Sequence, residues 1–152
     1  MTFGWINAVN AVFVIVLIAV SVTGQKKSGV PAMESRHKLL NILEQLGRYA
    51  SMVLMIMPLL PGWEFGFSSE RAMVAWLVLP VLLLVGYALL WTKAKQGGKV
   101  LYGLAILPAL LFLCCGLLLR HWALVGAAVV FGVSHTLIVR EFLSSGVRTE
   151  IE

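Results

Sequence analysis

Long apolar runs, broken at short intervals by charged or turn-forming residues, divide the chain into five stretches long enough to cross a bilayer, at about 3–22, 43–61, 72–91, 100–119 and 121–139. The third and fourth each carry roughly 20 residues without a charge, enough as α-helix to span about 30 Å of hydrocarbon. The second has the shortest uncharged run. It starts after Arg48 and meets Pro58 and Pro61 at its far end.

Between the first two runs the pattern changes. Gly24, Ser28, Gly29 and Pro31 predict a loop, and from Pro31 to Gly47 the spacing becomes that of an amphipathic helix. Leu39, Leu43, Leu46 and Ala50 form one stripe; Glu34, Lys38, Asn41, Gln45 and Arg48 form the opposite one. A basic polar face opposite an apolar one suits a helix lying in the headgroup layer over about 31–47, which either runs straight into the second span or bends near Gly47. The other connections, 62–71, 92–99 and 120–121, are short and predict that spans two to five pack as consecutive antiparallel neighbours. An L-P-x-L-L pattern recurs around Pro80 and Pro108, as an inverted repeat would have it, although Leu-rich sequence produces such matches by chance.

Composition turns this pattern into a class. Of 152 residues 60% are hydrophobic, and the mean hydropathy is +0.93. A soluble domain of that length needs far more polar surface. The expectation is an all-α integral membrane protein, a single membrane domain over 1–152. The first span has no Lys or Arg before Lys26, so it reads as a retained helix rather than a cleaved signal.

The net charge of +5 might suggest nucleic acid, but no basic, aromatic-interleaved groove accompanies it. The positive-inside rule accounts for it better. With the N-terminus outside and the C-terminus cytoplasmic, Lys26, Lys27, Arg36, Lys38, Arg48, Lys93, Lys95, Lys99, Arg140 and Arg148 fall inside, and only Arg71 and Arg120 fall outside. Trp5, Trp63, Trp91 and Trp122 fall at span ends, as an interfacial belt requires. The expected setting is the cell (inner) membrane. Anionic lipid headgroups at the cytoplasmic face are the expected partner, with a second copy or another membrane protein as a further one.

Candidate chemistry is sparse. Glu44 and Arg48 lie i,i+4 on the second span and can pair along one helix face. His135 lies five residues before Arg140 on the fifth span. Tyr87, Tyr102, Ser51 and Ser134 sit at similar depths. An ionisable group in lipid faces a bundle interior or a water cavity and has a partner, so this inner-leaflet layer is the candidate proton or ligand site, with His135 at its centre. A plainer account makes Glu44 and Arg48 snorkelling residues and the tyrosines interfacial ones.

Towards the outside, Asn7 and Asn10 lie one turn apart and predict hydrogen bonding between helices. Glu64, Glu70, Arg71, Arg120 and His121 read as solvated loop charges. Met52, Met55 and Met57 with Cys114 and Cys115 offer soft ligands for Cu(I), but without a motif to collect the metal they read as core fillers, and the sequence implies no metal or cofactor. Ala128 and Gly132, with Gly126 nearby, form a small-xxx-small pair suited to close helix packing.

The chain has no Asp, nucleophile elbow, phosphate loop or zinc signature, so the motifs point away from an enzyme. Three function classes remain: a small transporter, channel-like or ligand-binding protein using the inner polar layer; an accessory or assembly subunit of a larger membrane complex; and a lipid-modifying membrane enzyme.

Overall fold

A computed structural model describes residues 4–57 and 66–145, and over these the chain is helical, without strands. The far end of the second predicted span at Pro61, together with Pro58, Trp63, Glu64 and Arg148, lies outside the described residues. Five α-helices follow one another: α1 (Gly4–Ser28), α2 (Lys38–Ile56), α3 (Glu70–Thr92), α4 (Lys99–Leu118) and α5 (Trp122–Ser144). Four of them, α1, α3, α4 and α5, are long and apolar enough to cross a membrane, which makes this a multi-pass membrane protein.

The helix ends depart from the sequence pattern for local reasons. α1 runs six residues beyond Val22, through Gly24, and stops where Gly29 adopts a left-handed φ of 68°. Gly24 does not break the helix. A Cβ there would lie 2.4 Å from the Trp91 ring, so this glycine lets α1 seat against α3. Lys26 and Lys27 then fall in the last turn of α1, where cations favour the helix dipole.

Residues 29–37, which the amphipathic pattern partly included, form no helix; α2 begins only at Lys38 and continues unbroken through Gly47 to Ile56. The non-helical stretch is tied down by side chains. The Asn41 amide donates to Ser35 O (2.8 Å) and accepts from Ser35 N (2.8 Å). Glu141 near the end of α5 accepts from the Ser35 hydroxyl and from the Arg36 amide (3.0 Å). α5 accordingly runs five residues beyond Val139.

At the other end of α5, His121 is no solvated loop residue. It is 5% exposed, and its Nδ1 accepts from Leu124 N (3.1 Å), capping the helix. Ser69 caps α3 in the same way, accepting from Ala72 N.

The helices close into a ring in the order α1, α3, α4, α5, α2 and back to α1, with α4 also reaching α2. Neighbours in sequence are therefore not all neighbours in space. α2 packs chiefly on α5 and α1, and α3 packs on α1 and α4, which corrects the expectation that spans two and three lie side by side. α4 is the most enclosed, with half of its span buried and Phe112, Leu111 and Cys115 at its core. Pro80 and Pro108 both lie buried within continuous helices. The small residues Gly132 of α5 and Ala109 of α4 meet within this chain: a Cβ on Gly132 would stand 3.0 Å from that of Ala109.

Candidate functional site

α2 is built the opposite way to a surface helix of a soluble protein. Its outward face carries Leu39, Ile42, Leu43, Leu46, Tyr49 and Val53, all exposed. Its buried face carries Glu44, Gly47, Ser51 and Met55. The apolar stripe faces away from the bundle; of the opposite stripe Lys38 and Gln45 are exposed and Asn41 and Arg48 half-buried, and the buried line of Glu44, Gly47, Ser51 and Met55 runs between the two.

Gly47 makes this possible. A Cβ there would fall 2.7 Å from Phe131 N and 2.9 Å from Phe131 Cα, so the backbones of α2 and α5 touch at this point. One turn away, the contact brings Glu44 against His135. Glu44 is 5% exposed. Its Oε1 accepts from the Arg48 guanidinium of the same helix, and His135 Nδ1 stands 3.1 Å from the same oxygen. That imidazole contact is close enough for an ion pair but lacks the line-up of a formed hydrogen bond. Phe131 completes the cluster, with the Arg48 guanidinium 5.8 Å above its ring and the His135 ring 5.2 Å from it. A carboxylate thus sits between two cationic or protonatable groups from two helices, walled by an aromatic ring. Such a cluster can hold a proton on either of two neighbouring groups or bind a small polar ligand.

Other predicted members lie elsewhere. Tyr87 is buried on α3 with its ring edge-on to Trp91, 6.1 Å away. Tyr102 is partly buried on α4. Neither shows a hydrogen bond or ring contact with Glu44 or His135 among the described residues. Ser134 is buried beside His135, but its hydroxyl donates back to Val130 O (2.5 Å) and Phe131 O (3.2 Å) of its own helix.

Towards the other end of the bundle, Asn10 has no exposed surface and links three helices. Its amide donates to Met55 O on α2 (3.0 Å), and its carbonyl accepts from the Trp76 indole of α3 (3.1 Å). Trp76 is the hub of an aromatic group with Trp5, Phe13 and Phe67, whose centroids lie 5.2–5.9 Å from it. Asn7 Oδ1 is buried and has no partner among the described residues. Cys115 is fully buried, Cys114 partly so, and both are free thiols.

Two hollows open elsewhere. One lies along α3, beside Glu70, Arg71 and Val78. The other, of about 420 Å³, is an apolar groove between α4 and α5, with Ala109, Ala128 and Gly132 in its wall.

Sequence reasoning missed Phe131, Gly47 as a contact point, and the Ser35–Asn41–Glu141 strap. Glu141 is adjacent to Arg140 in a stretch read as the cytoplasmic end of a span, and no spacing rule links it to Ser35, 106 residues away. Compared with known proteins, the chain matches no protein-family model, no curated protein and no solved structure.

Proposed function

We propose that this protein is a small transporter or channel-like protein of the cell (inner) membrane, working through a protonatable site at Glu44, Arg48 and His135. The observation that carries the reading is Glu44 itself: a carboxylate 5% exposed, held between a guanidinium on its own helix and an imidazole from α5. A packing role alone would not call for an ionisable triad where apolar side chains do as well. In one transfer, a proton bound by Glu44 passes to His135 Nδ1, the carboxyl becomes carboxylate, and the imidazolium releases a proton from Nε2. No electrons move, and the ring is left in its other tautomer.

In this reading α2 is a fifth span. Its 19 residues rise about 28 Å as helix, and its apolar face meets lipid. The N-terminus is outside and the C-terminus cytoplasmic, which puts Lys26, Lys27, Arg36 and Lys38 beside anionic headgroups of the inner leaflet. Compartment reporters fused at Thr2 and after Glu152 should read opposite sides of the membrane. Agreement between the two would remove one span from the arrangement.

The activity is tested in vesicles that hold a pH-sensitive dye, with the membrane potential clamped by potassium and valinomycin. The wild-type protein should collapse an imposed pH gradient. Glu44→Gln and His135→Ala should each slow the initial rate at least about tenfold, less than the roughly 10²–10⁴-fold that a positioned proton-transfer group contributes in catalysis. A wild-type rate equal to that of protein-free vesicles would defeat the reading.

The groove between α4 and α5 favours a second reading, an accessory subunit, because its wall is apolar and Leu110, Val129 and Val133 stand exposed along it. In that case proton movement stays at background, and Val129→Cys, exposed beside the groove, cross-links two copies in the membrane.

A further inference from the structure

The groove between α4 and α5 leads to two cations. Ala109, Ala128 and Gly132 are small and leave the hollow between the helices, and Leu110, Val133 and Leu137 stand exposed beside it. Towards the end of the bundle where α4 begins and α5 ends, both sides of the groove turn basic. Lys99 precedes Ile106 by 7 residues and Leu110 by 11, which places all three on one face of α4. Arg140 follows Val133 by 7 residues and Val129 by 11, again on one face of α5. Both cations are exposed, and neither has an ion-pair partner among the described residues. Glu141, beside Arg140 in sequence, is taken by Ser35 and Arg36 of the loop before α2.

We propose that this groove binds one anionic phospholipid, with an acyl chain along the apolar wall and the phosphate between Lys99 and Arg140. The site is separate from the Glu44–His135 pair and does not depend on proton transport. Its dimensions are those of a leaflet. Counted along the helices, Arg140 lies about 16 Å from Val129 and Lys99 about 21 Å from Leu113. Half a bilayer is about 15 Å of hydrocarbon, or about 20–22 Å with its headgroups, so both cations reach the headgroup layer while the groove stays in the acyl layer.

Charge selects the occupant. An apolar helix laid in the groove offers nothing to two cations at its end, and a zwitterionic lipid brings a cation of its own. Tyr102, three residues after Lys99 and four before Ile106, falls on the same face of α4 and is partly buried. A phenol there supplies a hydrogen-bond donor at the level where acyl esters meet the headgroup, a use for Tyr102 that the Glu44 cluster does not provide.

Native mass spectrometry of the full chain in detergent tests this, with dioleoyl phosphatidylglycerol and dioleoyl phosphatidylcholine titrated separately. The wild type should take up one phosphatidylglycerol at least about fivefold more tightly than phosphatidylcholine. A Lys or Arg near an anionic headgroup is worth about fivefold in affinity. Lys99→Gln with Arg140→Gln should therefore weaken phosphatidylglycerol at least about tenfold and leave phosphatidylcholine unchanged. Val133→Trp, an exposed position that fills the groove, should weaken both lipids. Lys26→Gln with Lys27→Gln, at the end of α1 across the ring, should change neither by more than about twofold. Equal affinity for the two lipids in the wild type overturns the proposal. So does a loss in Lys26→Gln/Lys27→Gln as large as in Lys99→Gln/Arg140→Gln, which would make the attraction one of diffuse charge. Unaltered binding in Val133→Trp overturns the groove as the acyl site, and a lipid-free dimer cross-linked through Val129→Cys would give the groove to a second copy instead.

Discussion

Gly47→Val should yield no folded protein in detergent, and Gly47→Ala should lower stability by about 1–3 kcal/mol, the range for forcing an extra group into a filled contact. The atoms in the way are Phe131 N and Cα, 2.7 and 2.9 Å from where a Cβ would stand. These are backbone atoms of a packed helix and cannot swing aside as a flexible side chain would. The only relief is to push α2 away from α5, which also draws Glu44 off His135. Thermal melting followed by size-exclusion chromatography gives the stability. Gly47→Ala melting with the wild type would show that the two backbones do not touch. By contrast, Gly126→Ala should be nearly neutral, since nothing lies within 4 Å of its Cβ position.

The second large effect is expected where a guanidinium and an imidazole flank one carboxylate. Arg48→Gln leaves Glu44 facing His135, and His135→Ala leaves it bonded to Arg48, so each single change should be modest. Together they strand a carboxylate that is 5% exposed with neither partner. Loss of the partner from a buried pair costs about 3–5 kcal/mol, and here that full cost should appear only in the double variant. Its destabilisation should exceed the sum of the two single changes. Adding Glu44→Gln to the double variant should then recover a large part of the loss, because the stranded charge has gone. Glu44→Gln alone leaves Arg48, whose side chain is 38% exposed and can reach outward. Strict additivity across this series would mean that His135 and Arg48 do not share the carboxylate.

How far the sequence foretold this can be judged from the same residues. The i,i+4 spacing of Glu44 and Arg48, and the shared depth of His135, are properties of single helices counted at 1.5 Å per residue, and they named three side chains that the fold brings into contact. Depth alone says nothing about azimuth. Tyr87 and Tyr102 share the layer, but Tyr87 turns to Trp91, because ring order in the bundle places α3 against α1 rather than against α2.

The amphipathic stripe of α2 was visible, but which side faced in was not. Periodicity gives the angle between two faces, and the surroundings decide which face is buried. Gly24 misled, and Gly47 left a straight and a bent helix both open, for the same reason. A glycine admits a close neighbour as readily as it ends or bends a helix, and only the position of Trp91 or Phe131 distinguishes these uses. The Asn10 hydrogen bonds follow the expectation that amides join helices, although their partners, a carbonyl on α2 and an indole on α3, could come only from the packing.

The ring is closed by its second and last helices, and this has a consequence for how the chain is made. The strap that seals the seam joins Ser35 to Glu141, 106 residues apart. At a synthesis rate of about 5–20 residues per second, roughly 5–20 s pass between the first partner and the second. Throughout that interval α2 exists without α5, and its buried stripe has no wall to face. Glu44 does not wait alone, because Arg48, one turn along the same helix, emerges within a second of it at those rates. The pair makes the nascent helix electrically neutral at its most polar level. Arg48 therefore serves as the provisional partner of the carboxylate, and His135 joins a charge that has already been neutralised.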